Sequence, residues 1–286
     1  MSFSRPTISE LRSVYPETKK KFDKGNLWGF LVLRWTSFYP TWLLIRLGFS
    51  PNAVTILSLV AGVAGAALLA IGRNEMDIVG AALINLWNWL DYVDGNIARY
   101  KRTETSYGHF MDETVGNVVI VAMGIGSGIG AYNGNSPKFL PFLQEHGIPG
   151  LFLVALALLG VWAYTLRFLF RHLRQHFANT FPSASVSPEL TGVERGYQKI
   201  SSVIDHAVSL LPPLLLYDAI FSGMGAFIVV YAFLFTVSAA ISLMQLVIMA
   251  KRSLVGNVGR GGDHSGNKVT DPVRSMPEKT NRRIQT

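Results

Sequence analysis

The sequence predicts an all-α integral membrane protein, a bundle of six transmembrane helices preceded by an amphipathic helix lying in the membrane surface. Three observations predict it. Of the 286 residues, 49% are hydrophobic and only 15% charged, and the mean hydropathy is +0.30, too apolar for an ordinary soluble domain. The apolar residues gather in runs of the length needed to cross a hydrocarbon core of about 30 Å. The charges lie between those runs. The net charge of +8 would suggest nucleic acid on a water-soluble domain. Here it belongs to the connecting segments, and no nucleic-acid partner is expected.

The chain contains no cysteine, which excludes disulfides and thiolate metal ligands. The N-terminus, MSFSRPTISELRSVYPETKKK, is polar and shows no cleavable signal peptide. Residues 1–25 are basic, with Lys19, Lys20, Lys21 and Lys24 clustered. From Asn26 to Leu47, Trp28, Phe30, Trp35, Phe38, Tyr39 and Trp42 are interleaved with Arg34 and Arg46. Pro40 and the charges argue against a span here, so this stretch is expected to lie in the plane of the cytosolic surface with its indoles at head-group depth. Residues 1–48 are therefore read as a basic N-terminus and interfacial helix, 49–252 as the membrane domain, and 253–286 as a disordered cytosolic tail, because the tail lacks apolar periodicity.

The first span opens at Ser50-Pro51 and runs to Ile71, with proline at a helix start. Small residues at 62 and 65–67 permit close helix contact. The second runs from Met76 into a polar motif. Roughly fifteen apolar residues precede Asp91, a rise of about 22 Å, which places the carboxylates in the last third of the core. The third span is expected over Tyr107–Tyr132 and the fourth over Pro149–Phe170, continuing as a basic helix. A polar loop over 178–196 follows, then a fifth span over 203–221 containing Pro212-Pro213 and a sixth over 224–250. With six spans, all but Arg73 and Lys138 of the 26 Lys and Arg fall on one side. The positive-inside rule makes that side, both termini and the motif cytosolic.

The motif is LDYVDGNIARYKRTETSYGHFMDETVG, Leu90 to Gly116. Asp91 and Asp94 are three apart and share a helix face, and Gly95, Ala98 and Arg99 continue the stripe. Asp112 lies on the next helical segment, one turn after Gly108. Carboxylates ending a membrane helix are costly unless paired or bound to cations, so they read as functional. Hard divalent cations take oxygen ligands such as these, together with substrate phosphate, and two such ions can stabilise attacking and leaving oxygens together. Asp91, Asp94 and Asp112 are the candidate ligands. Gly95 and Ala98 leave room for a ligand to approach the backbone, Gly108 for close helix contact, and the planar fork of Arg99 suits a phosphate. Salt bridges from the aspartates to Arg99, Lys101 and Arg102 are the purely structural alternative. A cation pathway through the membrane is a further, more distant one. The sequence shows no internal repeat, nucleotide P-loop or zinc pattern.

The spacing Asp-x2-Asp-Gly-x2-Ala-Arg-x8-Gly-x3-Asp, filled by Asp91, Asp94, Gly95, Ala98, Arg99, Gly108 and Asp112, resembles the signature of the CDP-alcohol phosphotransferases. These are integral-membrane enzymes of phospholipid biosynthesis. The segment LGFSPNAVTILSL likewise resembles the family's first helix. The resemblance covers roughly residues 45–250. It implies a homodimer with a polar cavity open to the cytosol, magnesium (or manganese) as cofactor, a CDP-alcohol donor such as CDP-diacylglycerol, and an alcohol acceptor. It also implies nucleotide contacts from Asn52, Thr55, Gly95, Arg99 and Thr105. For Asn52 and Thr55 the alternative is local: a helix cap and a bond back to the helix. The family and a cytosolic topology fit a prokaryotic cytoplasmic membrane.

The family signature ends with a fourth aspartate, and here that position is Gly116. The missing group would be the base for the acceptor hydroxyl and part of a second metal site. Three readings compete. A neighbour substitutes, His109 on the face of Asp112 or Glu113, which points about 100° away. Or one metal suffices with an acceptor needing little deprotonation. Or the protein binds nucleotide or lipid without turnover. For the acceptor, Arg167, Arg171 and Arg174 form one helical stripe and, with Arg195, could clamp an anionic group such as a polyol phosphate. Their alternative role is a basic collar at a helix end.

Overall fold

A computed structural model describes residues 6–16, 28–134, 145–147, 150–180, 192–221 and 225–261. Among these there is no strand. The Lys19–Lys24 cluster, Lys138 and residues 262–286 of the expected tail lie outside the described residues.

Helix α1 (Ile8–Ser13) is one turn and a half closed by a capping box: Thr7 accepts from the Glu10 amide while the Glu10 side chain accepts from the Thr7 amide. A π-helical turn over Gly29–Leu33 leads directly into α2 (Arg34–Arg46). The bonding of α2 is the reverse of a water-facing amphipathic helix. Its buried side carries Arg34, Ser37, Phe38, Thr41 and Ile45, while Leu31, Trp35, Tyr39, Leu43 and Leu47, spaced four apart, are exposed. Polar Arg34, Ser37 and Thr41 face protein beside Phe38 and Ile45, and a row of apolar side chains faces outward.

Helices α3 (Pro51–Leu69) and α4 (Asn74–Lys101) form an antiparallel hairpin. Ser50 caps α3 by accepting from the Ala53 amide at 3.2 Å, with Pro51 in the first turn. The turn between them passes through Gly72 at φ +72°, a conformation that suits glycine. Midway along, Gly65 and Gly80 face each other so closely that a Cβ on either would lie 2.7 Å from the other's carbonyl oxygen. Helix α5 (Ser106–Asn133) packs on the other side of α3. There Gly126 and Gly130 lie directly against the carbonyls of Ala66 and Leu69. Backbone meets backbone, which only glycine permits.

Helix α6 (Leu151–Thr180) and α9 (Gly225–Gly261) form the second layer. Between them, Tyr231 is fully buried, seated against Gly124 and Gly160, and its hydroxyl donates to the Ile120 carbonyl at 3.1 Å. Phe235 meets Tyr231 and Tyr164 edge-on, at 4.8 and 4.9 Å between ring centroids. Helix α7 (Gly192–Ser209) and α8 (Leu211–Phe221) complete the chain. Asp218 of α8 accepts from the Phe227 amide in the first turn of α9 at 2.7 Å.

The membrane-crossing inventory differs from the expected six. Among the described residues, four helices are long and apolar enough: α3, α5, α6 and the Gly225–Lys251 part of α9. A fifth span exists if α7 and α8 count as one, but they are bent by 45° at Leu210, just before Pro212 and Pro213, which lack amide donors. The expected second span, α4, has spanning length at 28 residues. It fails on composition, because Asn85, Asn88, Asp91 and Asp94 lie along it. Its polar groups are satisfied inside the protein; the Asn85 amide, for instance, donates to the Ala81 and Pro212 carbonyls at 2.9 and 2.8 Å. Two boundaries also move. The expected loop at 178–196 is helical at 178–180 and from Gly192, and α9 continues to Gly261, into the segment expected to be a disordered tail.

Candidate active site

The start of α3, the end of α4 and the start of α5 enclose a cavity of about 270 Å³. The helical period puts Asp91, Asp94, Gly95, Ala98 and Arg99 on its α4 wall, and Thr105, Gly108, His109 and Asp112 on its α5 wall. Pro51, Asn52 and Thr55 close it from α3. Every residue expected to hold metal or nucleotide therefore lines one space.

Within it, the Thr55 hydroxyl donates to Asp94 Oδ2 at 2.6 Å, with the Pro51 carbonyl also in reach at 3.1 Å. Thr55 thus makes the local bond and the site bond together. Asn52 does not cap α3, since Ser50 does; it faces the cavity. The oxygen of Thr105 is the N-cap acceptor of α5, bonded by the Gly108 amide at 3.0 Å. No neighbouring helix approaches Gly108, whose would-be Cβ meets only Thr105 Oγ1, so the expected close helix contact is not its role. The Arg99 guanidinium folds back over Gly95, 3.2 Å from where a Cβ would be, and donates to Asn96 Oδ1 at 2.9 Å. Lys101 turns away to the Phe49 carbonyl at 2.7 Å, so it does not neutralise the aspartates.

The three aspartates share the cavity without converging on one point. Among the described residues, no three of Asp, Glu, His and Cys are gathered closely enough to hold a metal ion as they stand. Asp94 is drawn to Thr55, and Asp94 and Asp112 are near enough to repel each other. As a donor set they fit a hard divalent ion: oxygen ligands on two adjacent helices facing an open volume.

His109 faces this cavity; Glu113 does not. Its carboxylate lies 3.6 Å from His172 of α6, so Glu113 is excluded as the substitute base. Its position one residue beyond Asp112 turns it toward the second layer. At Gly116 a Cβ would meet nothing within 4 Å, so the place of the fourth carboxylate is open space. The arginine stripe is also outside the cavity. Arg167 is salt-bridged to Asp205 of α7 and Arg174 donates to Gln245 of α9, while Arg171 and Arg195 are exposed. Tyr164, on the same face of α6, donates to Asn117 of α5. This polar seam runs beside Gly116.

Sequence reasoning missed Arg34, Tyr92 and Glu104, which line the cavity, and Asn96, which supports it. Arg34 carried a signal: a charged residue in an apolar, aromatic stretch reads as functional until shown otherwise.

A family model for CDP-alcohol phosphatidyltransferase matches residues 49–237, more than half of the chain, and the protein belongs to that family and is an integral membrane protein. It is 41% identical over 114 residues to a phosphatidylinositol phosphate synthase of Streptomyces avermitilis. That match covers 40% of this chain and 45% of the relative, so the aligned stretch spans less than half the length of the curated relative. Among solved structures it is similar to crystal structures of phosphatidylinositol phosphate synthase from Mycobacterium tuberculosis. The complex with manganese and citrate has a TM-score of 0.47 at 17% identity, covering 76% of this chain and 88% of the other. The form with CDP-DAG bound has a TM-score of 0.41 at 18% identity, covering 76% and 92%.

Proposed function

We propose that the protein transfers a phosphatidyl-type group from a CDP-alcohol, such as CDP-diacylglycerol, to an alcohol acceptor, releasing CMP. The observation that carries this reading is the single cavity onto which three separate segments bring Asn52, Thr55, Asp91, Asp94, Arg99 and Asp112. Asp91, Asp94 and Asp112 would hold magnesium or manganese, which when bound neutralises diphosphate charge. Arg99, Asn52, Thr55, Gly95 and Thr105 bind and orient the nucleotide. The acceptor oxygen forms a bond to the lipid-linked phosphorus, the bond from that phosphorus to the bridging oxygen breaks, and CMP leaves with the electron pair. The acceptor proton passes to His109, the cavity-facing base. Arg167, with Asp205 orienting it, and Arg171 suit an anionic acceptor such as a polyol phosphate; Arg174 and Arg195 extend that basic surface. The site and both termini face the cytosol of a prokaryotic cytoplasmic membrane, α2 rests at the lipid surface on its exposed apolar side, and the protein works as a homodimer.

The open space at Gly116 favours a second reading, a family member that binds CDP-alcohol without turnover. The experiment is CMP release by purified protein given CDP-diacylglycerol, magnesium or manganese, and a panel of neutral and phosphorylated polyols, with Asp112→Asn as control. Release that Asp112→Asn abolishes supports the transferase. No release with any acceptor, together with release by Gly116→Asp, selects the silent reading.

A further inference from the structure

Between α4 and α5 the chain turns through Thr103, Glu104 and Thr105, and all three line the cavity. Both ends of this turn are fixed. The Arg102 amide donates to the Arg99 carbonyl at 3.1 Å and the Thr103 amide to the Ala98 carbonyl at 2.9 Å, the paired bonds of a Schellman cap. That cap holds Arg102 at φ 53° and ψ 41°. It is the one non-glycine residue with positive φ among those described. A residue with a Cβ enters this region only where its surroundings enforce it. At the other end, the Thr105 side chain accepts from the Gly108 amide at 3.0 Å. Glu104 is thus set between two helix caps, exposed at the edge of the cavity. It makes no ion pair or hydrogen bond to another of the described residues.

This position separates Glu104 from the other carboxylates. Asp94 lies seven residues before Lys101, the end of α4, and Asp112 seven residues after Thr105, the cap of α5. Along either helix that is a rise of about 10 Å. The aspartates therefore occupy one end of the cavity and the turn the other. A CDP-linked lipid with its diphosphate at the aspartates keeps its acyl chains among apolar helix faces, which directs its nucleoside toward the polar turn. A carboxylate accepts only and is repelled by phosphate oxygens, so a hydrogen-bond donor is what it can hold there. Ribose hydroxyls both donate and accept, and threonine serves them as well as an anion does. The exocyclic amine of cytosine donates only, and a carboxylate matches it. Uracil carries an oxygen at that place, which would meet Glu104 acceptor to acceptor.

We propose that Glu104 is a specificity-determining residue that accepts from the cytosine amine and so selects cytidine over uridine nucleotides. This rests on the nucleotide reading above and adds to it a residue that the signature leaves open.

Calorimetry of the full chain with manganese, titrated with CDP, UDP and 2′-deoxy-CDP, tests this. Wild type is expected to bind CDP about tenfold or more tighter than UDP, the scale of one hydrogen bond to a charged group. Glu104→Gln, whose amide can turn either a donor or an acceptor to the base, is expected to bring the two within about threefold. Glu104→Ala is expected to weaken CDP about tenfold and leave UDP no weaker than in wild type. The ratio of CDP to 2′-deoxy-CDP affinity should stay at its wild-type value in both variants. A CDP-to-UDP ratio equal to wild type in both variants overturns the proposal and leaves Glu104 a solvated carboxylate at the rim. A change in the 2′-deoxy-CDP ratio alone also overturns it, assigning the carboxylate to the ribose. Wild-type protein that binds neither CDP nor UDP and releases no CMP sinks the nucleotide reading itself, whereas CDP bound without preference over UDP sinks only the role of Glu104.

Discussion

Thr55 of α3 donates its hydroxyl to Asp94 of α4 at 2.6 Å, across 39 residues of sequence. The bond ties the helix expected to contact nucleotide to a carboxylate expected to bind metal. Replacing Thr55 by Val keeps the shape and removes the donor, leaving a buried carboxylate oxygen one bond short. That costs about 1–3 kcal/mol, visible as a melting temperature lower by several degrees, and Thr55→Ser should recover most of it. A Thr55→Val protein that melts with wild type would show the bond to be energetically idle.

Asp112 stands across the cavity from Asp94. Asp112→Asn should reduce CMP release on the order of 100-fold or more, the scale that several kcal/mol of charge stabilisation implies. Manganese at about 100 times its dissociation constant should stabilise wild type by about 2.7 kcal/mol, and Asp112→Asn should lose that gain. Equal metal-induced stabilisation in both proteins would remove Asp112 from the ligand set.

His109 faces the cavity, and two turns further along α5 a Cβ at Gly116 would meet open space. His109→Ala should slow CMP release on the order of 100-fold, the lower range for a general base. Gly116→Asp should fold as wild type, since nothing obstructs its Cβ, and in the His109→Ala background it should restore part of the lost rate. Unchanged turnover in His109→Ala would dismiss the histidine as base.

Arg167 and Asp205 pair on the second layer, outside the nucleotide cavity. Arg167→Gln should raise the KM for a phosphorylated polyol about tenfold while CDP affinity stays put. A parallel loss of CDP affinity would place Arg167 with the nucleotide instead.

The site's α4 and α5 walls were legible in the sequence because a helix converts spacing into direction. Asp91, Asp94, Gly95 and Arg99 had to share a face, and Asp112 had to sit one turn from Gly108. The same rule points Glu113, kept as a candidate base, about 100° away from Asp112, though its contact with His172, 59 positions along the chain, could not be read. Arg34 and Asn96 are 62 residues apart, and nothing local pairs them. Arg34 was assigned to the lipid surface because its neighbours are aromatic, whereas those neighbours on the buried side are Ser37 and Thr41. The expected second span, α4, is not among the described helices apolar enough to cross by composition, for a related reason. A helix enclosed by other helices can be polar along its length, and its amides find carbonyls such as that of Pro212 rather than lipid.

The glycine contacts of α3 with α4 and α5 set the width of the site from a distance. Gly65 and Gly80, and Gly126 and Gly130 against Ala66 and Leu69, are the points at which the three helices touch backbone to backbone. The cavity sits at the helix ends beyond them. A methyl group inserted at Gly126 or Gly130 would act as a wedge near a fulcrum, and the displacement would be magnified several turns away, where Asp94 faces Asp112. The reach between those carboxylates is therefore governed by residues that touch neither metal nor substrate.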